Sequence, residues 1–211
     1  MKLTSSTFED GGIIPGRCAF CVKDPKTFLR LSQNLSPQLA WSALPEGTES
    51  LVITCLDPDA PASKPEYVNT PGTVIPAKYP RGNFVHWLMA DVPAELGSLA
   101  EGACSRAVIA GGKRIPDGPD GAVQGVNDYT AWFKGDAEME GPYLGYDGPC
   151  PPFNDSIPHH YVFTVYALSA KKLGLKSGFT LEQLLAALNE KVLAEATLTG
   201  RYATNPDIRL R

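Results

Sequence analysis

The chain has 211 residues, 43% of them hydrophobic and 20% charged, with a formal net charge of -4. That composition can build a core of its own, and its acidic balance argues against a broad nucleic-acid surface while leaving room for a local anion site made by a few side chains. No stretch reaches the roughly 18 consecutive apolar residues that span a bilayer, and the start, MKLTSSTFEDGG, lacks the apolar run of a signal peptide, so a cytoplasmic protein of one domain over 1–211 is expected.

The 20 glycines and 19 prolines are scattered and punctuate short runs, which predicts a turn-rich β architecture. Segments 17–22 and 27–31 are candidate short strands. Cys18 and Cys21 form a lone CxxC; with Cys55, Cys104 and Cys150 the count is odd and the spacing gives no framework, so reduced, partly core cysteines are expected. Residues 50–56 (SLVITCL) read as a central strand that ends in Asp57-Pro58-Asp59-Ala60-Pro61. Two acids at i and i+2 can project to one side of an extended chain, and the prolines stiffen it. Read alone, the same five residues are also a turn with two solvated acids.

Residues 84–90 (FVHWLMA) form a second strand, apolar on both faces. Alternation places Phe84, His86 and Leu88 on one face and Val85, Trp87 and Met89 on the other. A short helix is expected near 93–99. The stretch 102–145 is rich in Gly, Ala, Asp and Pro and reads as a long excursion over one face; with 64–81 it forms one of two loop extensions. Its Gly112-Lys113 pair is not a phosphate loop, because Ala107 stands where a glycine is needed and Arg114 where Ser or Thr is needed.

Tyr146 to Pro152 (YDGPCPP) is a rigid loop whose Gly148 and Cys150 amides could face an anion. Residues 161–168 (YVFTVYAL) are the strongest strand signal. His159 and Tyr161 share one face of it and His160 the other. Near 180–195 a helix is predicted: Thr180 and Gln183 make a capping box, and Leu181, Leu184, Leu185, Leu188 and Val192 share a face.

All three histidines, His86, His159 and His160, fall in these strand-and-loop segments. Two imidazoles, the Tyr161 hydroxyl and loop amides can hold phosphate or carboxylate, while Asp57 and Asp59 can accept from an imidazole or meet an amine carried by the ligand.

Four motifs in this order, DPDAP (57–61), His86-Trp87, GPCPP (148–152) and His159-x-Tyr161, resemble the phosphatidylethanolamine-binding protein family, in particular its bacterial Raf kinase inhibitor-like branch. The stretches 34–41 (NLSPQLAW), 44–47 (LPEG) and 125–129 (GVNDY) are similar to that branch too. The resemblance implies a mainly β, Greek-key β-sandwich with a few peripheral helices. It also implies a pocket of Asp57, Asp59, Pro61, His86, Gly148, Cys150, Pro151, His159 and Tyr161 that takes a phosphate-like anion or phospholipid headgroup; two histidines and a tyrosine without an evident nucleophile, and no GxSxG elbow, make non-catalytic binding the expectation. A regulatory inhibitor with a kinase or protease partner, and a homodimer, are compatible with it. No cofactor or metal is expected. The alternative is a hydrolase or metal-dependent enzyme using the same histidines and carboxylates.

Overall fold

Strands that are apolar on both faces need cover on both faces, and the chain supplies it with a second sheet on one side and a helix on the other. The computed structural model describes residues 1–210. Its strands are β1 (Lys2–Thr4), β2 (Cys21–Asp24), β3 (Phe28–Leu31), β4 (Leu39–Ser42), β5 (Ser50–Pro61), β6 (Arg81–Pro93), β7 (Ser98–Leu99), β8 (Val123–Gln124), β9 (His159–Leu168) and β10 (Val192–Tyr202). The α-helices are α1 (Tyr129–Trp132) and α2 (Leu181–Leu188), with single 3-10 turns at Gly16–Cys18 and Ala94–Leu96.

The large sheet has the order β10-β9-β5-β6-β8 and every neighbour pair in it is antiparallel. That order, with β9 returning beside β5, is the Greek-key crossover. A three-stranded sheet, β1-β4-β7, covers one face: its Leu3, Leu39, Trp41 and Leu99 share a buried cluster with Leu51, Ile53, Trp87, Phe163 and Val165. On the opposite face Val52, Val85, Leu88 and Leu168 pack against Phe179, Leu184 and Leu188. Each fully buried Leu or Ile in these clusters contributes about 1.5–3 kcal/mol of burial free energy.

Two irregularities in the β5–β6 ladder decide where the polar residues go. Cys55 pairs with Trp87 but Leu56 pairs with Val85, so His86 is an extra residue. Such a bulge breaks alternation and re-aims a side chain. The expectation that Phe84, His86 and Leu88 share a face therefore fails at Leu88, which joins Val85 under α2 while Trp87 and Met89 lie in the core between the sheets. The second shift lies between Asp57↔Phe84 and Ala60↔Gly82, where two residues of β5 face one of β6. It turns Asp57 and Asp59 to different surroundings, Asp57 buried and Asp59 half-buried.

The capping box forms as read: Gln183 N donates to Thr180 Oγ1 (3.3 Å) and Thr180 N donates to Gln183 Oε1 (2.9 Å). The helix ends at Leu188, however, and Val192 begins β10. Expecting a helix to 195 gave too little weight to a ladder with β9 that runs from Val192 to Tyr202. Long-range pairing of that extent outweighs local helical spacing.

Candidate functional site

Asp57, Pro61, His86, Cys150, Pro151, His159 and Tyr161 all line one cavity of about 30 Å³, at the end of the large sheet where β5, β6 and β9 meet the 145–152 loop. That size suits one small functional group; pockets for larger organic ligands run to roughly 300–1,000 Å³. Phe84, Tyr129 and Trp132 complete an aromatic wall.

His159 and Tyr161 point inward from β9 and are both 1% exposed. The His159 Nδ1 lies 2.7 Å from Asp57 Oδ2 and Nε2 lies 3.1 Å from Asp155 Oδ2. Asp155 is in turn held by Arg81, with Nη1 at 2.5 Å and Nη2 at 3.0 Å. Burial alone would lower the His159 pKa, but the charge of Asp57 and the hydrogen bonds to Asp155 and Asp57 outweigh it and raise it to about 9. His159 is therefore an imidazolium at neutral pH with both nitrogens committed. Burial pushes Asp155 the other way as well, yet hydrogen bonds from His159 and Arg81 hold it below the usual carboxylate range.

His86 is the opposite case. Its Nδ1 lies 2.7 Å from the Asp147 carbonyl oxygen. A carbonyl only accepts, so Nδ1 carries the hydrogen and Nε2 of the neutral ring is an acceptor. Burial lowers the His86 pKa below its ordinary value, against the charge of Asp57 and the nearby carbonyls of Asp147 and Gly148. The ring packs edge-on to Tyr161 (5.0 Å) and Tyr129 (5.6 Å). The Tyr161 hydroxyl is buried and has no hydrogen-bond partner among the described residues. Burial raises its pKa well above the ordinary value, so it remains a donor.

Two residues of the expected set do not line this cavity. Asp59 Oδ2 accepts from the backbone N–H of His160 (2.9 Å) and lies 2.7 Å from His160 Nδ1, outside the wall. The Gly148 amide is spent on Asn34 Oδ1 (2.8 Å), so it is not an anion donor. Glycine is needed there for close approach: a Cβ would stand 2.0 Å from the Cys18 carbonyl oxygen.

The cysteines also need correction. Cys150 is disulfide-bonded to Cys21, while Cys18, Cys55 and Cys104 are free and buried. The expectation of five reduced cysteines followed from sequence spacing, and 129 residues separate this pair. The folded chain brings β2 against the 145–152 loop, with Phe20 N donating to the Pro149 carbonyl at 2.9 Å. A possible thiol in the wall is thus a sulfur of a covalent link.

Sequence reasoning missed Tyr129 and Trp132, which the 102–145 excursion carries into the wall on α1, and Arg81 and Asp155 behind His159. The available signals were an aromatic pair at i and i+3, and an acid four residues before His159. The excursion is held down by Asp147, which is 0% exposed: Lys113 Nζ lies 2.5 Å from its Oδ1, Asn34 donates to Oδ1 (2.7 Å) and Asn127 to Oδ2 (2.8 Å).

The family model described as phosphatidylethanolamine-binding protein matches residues 4–203, almost the whole chain. The chain belongs to the phosphatidylethanolamine-binding protein family. Within it, the chain is 30% identical over 202 residues to a UPF0098 protein of Aquifex aeolicus, covering 96% of this chain and 88% of that one. It is 29% identical to the Escherichia coli UPF0098 protein YbhB, covering 96% and 100%. The crystal structure of E. coli YbcL, described as a new member of the mammalian PEBP family, superposes with a TM-score of 0.68 at 30% identity, covering 96% of this chain and 97% of that one. A Chlamydia trachomatis family homologue, CT736, superposes at 0.65 with 29% identity and 95% coverage of both. The mainly β fold is thus that of the family. No helix among the described residues is long and apolar enough to cross a membrane.

Proposed function

We propose that the cavity is a non-catalytic receptor for a phosphate-like anion, free or as a phospholipid headgroup. The observation that carries this reading is Tyr161, which lines a small, largely apolar cavity and whose buried hydroxyl has no partner among the described residues. A buried donor without a partner is unfavourable by about 1–3 kcal/mol, which a ligand oxygen would recover. Family membership supports a binding role. The commitment of both His159 nitrogens to carboxylates supports the absence of catalysis, since it leaves that ring no atom with which to relay a proton. The Cys21–Cys150 bond is of a kind that persists in oxidising compartments, with the cytosol of hyperthermophiles an exception, and this weighs against the cytoplasmic location expected from the chain start.

Titration calorimetry with phosphoethanolamine on the wild type and Tyr161→Phe tests the reading. The variant should bind about tenfold more weakly. Its ligand-free thermal stability should be unchanged or higher, because the deleted hydroxyl has no protein partner. Absence of heat for the wild type at millimolar ligand, or equal affinity of the two proteins, would sink the proposal.

A further inference from the structure

Of the side chains that line the cavity, Tyr161 has a buried hydroxyl with no partner among the described residues, and His86 has spent Nδ1 on the Asp147 carbonyl, which leaves Nε2 as its acceptor. The cations nearby are already paired. His159 is enclosed by Asp57 and Asp155, Arg81 is bound to Asp155 through both terminal nitrogens, and Lys113 is bound to Asp147. Lys64 does not line the cavity and lies over the Trp132 ring, 4.7 Å from its centroid. An anion oxygen approaching a neutral Nε2 would meet lone pair against lone pair. That contact becomes attractive only when a hydrogen lies between the two atoms.

We propose that this cavity takes an oxyanion only together with one proton, held between a ligand oxygen and His86 Nε2, and that the site therefore prefers phosphomonoesters, which can bring that proton, over sulfate esters, which cannot. The inference rests on the anion-receptor reading above and names the ligand class and a specificity-determining residue. With a monoester monoanion, the P–OH donates to Nε2 and a P–O⁻ accepts from Tyr161. With a fully ionised ligand, such as a sulfate ester or a phosphodiester, the proton must come from solvent and charge His86.

The surroundings of His86 leave no other group to take that role near neutral pH. On β5 the Asp57 carboxylate is bound to His159; on β9 His159 is already charged and Tyr161 is a neutral donor. On α1 the Tyr129 hydroxyl donates to the Gly148 carbonyl (2.8 Å). In the 145–152 loop the Asp147 carboxylate faces Lys113, Asn34 and Asn127, and Cys150 is in a disulfide. The lowered pKa of His86 agrees with the geometry.

The experiment is calorimetry on the whole protein between pH 6 and 8, in buffers of different ionisation enthalpy, with three probes of similar shape. Phosphoethanolamine is a monoester whose second pKa is about 6; ethanolamine O-sulfate and glycerophosphoethanolamine have no titrating oxygen in this range. For the last two the wild type should take up about one proton per ligand, with affinity falling about tenfold per pH unit from 7 to 8. Phosphoethanolamine should bind more tightly than the sulfate ester throughout. His86→Gln, whose amide donates without titrating, should bind the sulfate ester with no proton uptake and no pH slope. Wild-type binding of the sulfate ester that is independent of pH and takes up no proton would overturn the proton requirement while leaving the receptor reading intact. No binding of any probe from pH 6 to 8 would overturn both. Monoester bound more tightly than diester, with the proton uptake present, upholds the proposal and a free phosphomonoester as the source; the reverse order would overturn the ligand class and point to a lipid headgroup.

Discussion

Asp57–His159 and Asp59–His160 are two carboxylate–imidazole pairs drawn from the same two strands, and both have a nitrogen–oxygen distance of 2.7 Å. The first is buried, with the Asp57 and His159 side chains 3% and 1% exposed; the second is open, with Asp59 and His160 at 27% and 45%. Equal geometry thus carries unequal consequences. In the buried pair each charge has lost its water, so the partner and its further contacts to Asp155 and Arg81 decide whether the charged form survives at all. In the open pair solvent and salt screen the attraction, and either residue can be rehydrated if the other is removed.

The largest effect that would test this contrast comes from Asp155→Ala. It leaves the half-buried Arg81 and the buried His159 side by side without the carboxylate between them, and should lower the unfolding free energy by about 3–5 kcal/mol in urea titrations at pH 7. A loss below about 1 kcal/mol would mean that the inner network behaves like the outer pair.

Next comes pH. The folded pKa of His159, about 9, lies above its ordinary 6.5, so the folded state holds the proton more tightly than the unfolded chain. Its contribution is fully present below pH 6.5 and is lost as pH rises through 9. At about 1.36 kcal/mol per pH unit, the rise from 6.5 to about 9 is worth about 3 kcal/mol. Urea unfolding at pH 6 and pH 9.5 should show that loss in the wild type and little of it in His159→Gln. His86 has the opposite sign: its lowered pKa makes the unfolded chain the better proton acceptor, so it removes stability as pH falls below 6.5. His86→Gln should therefore flatten the acid limb of the stability profile and leave the alkaline limb in place.

The smallest effect belongs to the outer pair. Asp59→Asn should cost about 0.2–1 kcal/mol and lose most of that difference in 1 M salt. A loss as large as that of Asp155→Ala would break the distinction drawn from burial.

Much of this arrangement is legible in the residues. The parity that sends His159 and Tyr161 inward and His160 outward is a property of any strand, and β9 follows it. The three apolar runs become β5, β6 and β9, neighbours in the large sheet, because apolar faces on both sides have to be covered by the rest of the chain. Seven of the nine expected pocket residues line one cavity. Parity misleads at Leu88 and Asp59, where a bulge adds one residue and reverses the alternation. Register shifts of this kind come from pairing with a partner strand, which local pattern does not contain. The end of α2 differs from the local pattern for the same reason: Val192 fits the helical stripe, but β9 offers it a ladder.

Local sequence settles the set of polar groups available, the strands that carry them and the face each one takes along a regular strand. These depend on neighbours a few residues apart. Which groups are spent on one another is settled only when the chain packs. Asp155 and Arg81 are 74 residues apart and Cys21 and Cys150 are 129 apart, so no local spacing marks them as partners. Their contacts hold His159 charged and turn a candidate thiol into a covalent strut, while burial lowers the His86 pKa and the Asp147 carbonyl fixes its hydrogen on Nδ1. The charge state of a buried group is set by the loss of water and by the particular atoms that replace it, and both are fixed only when distant segments pack.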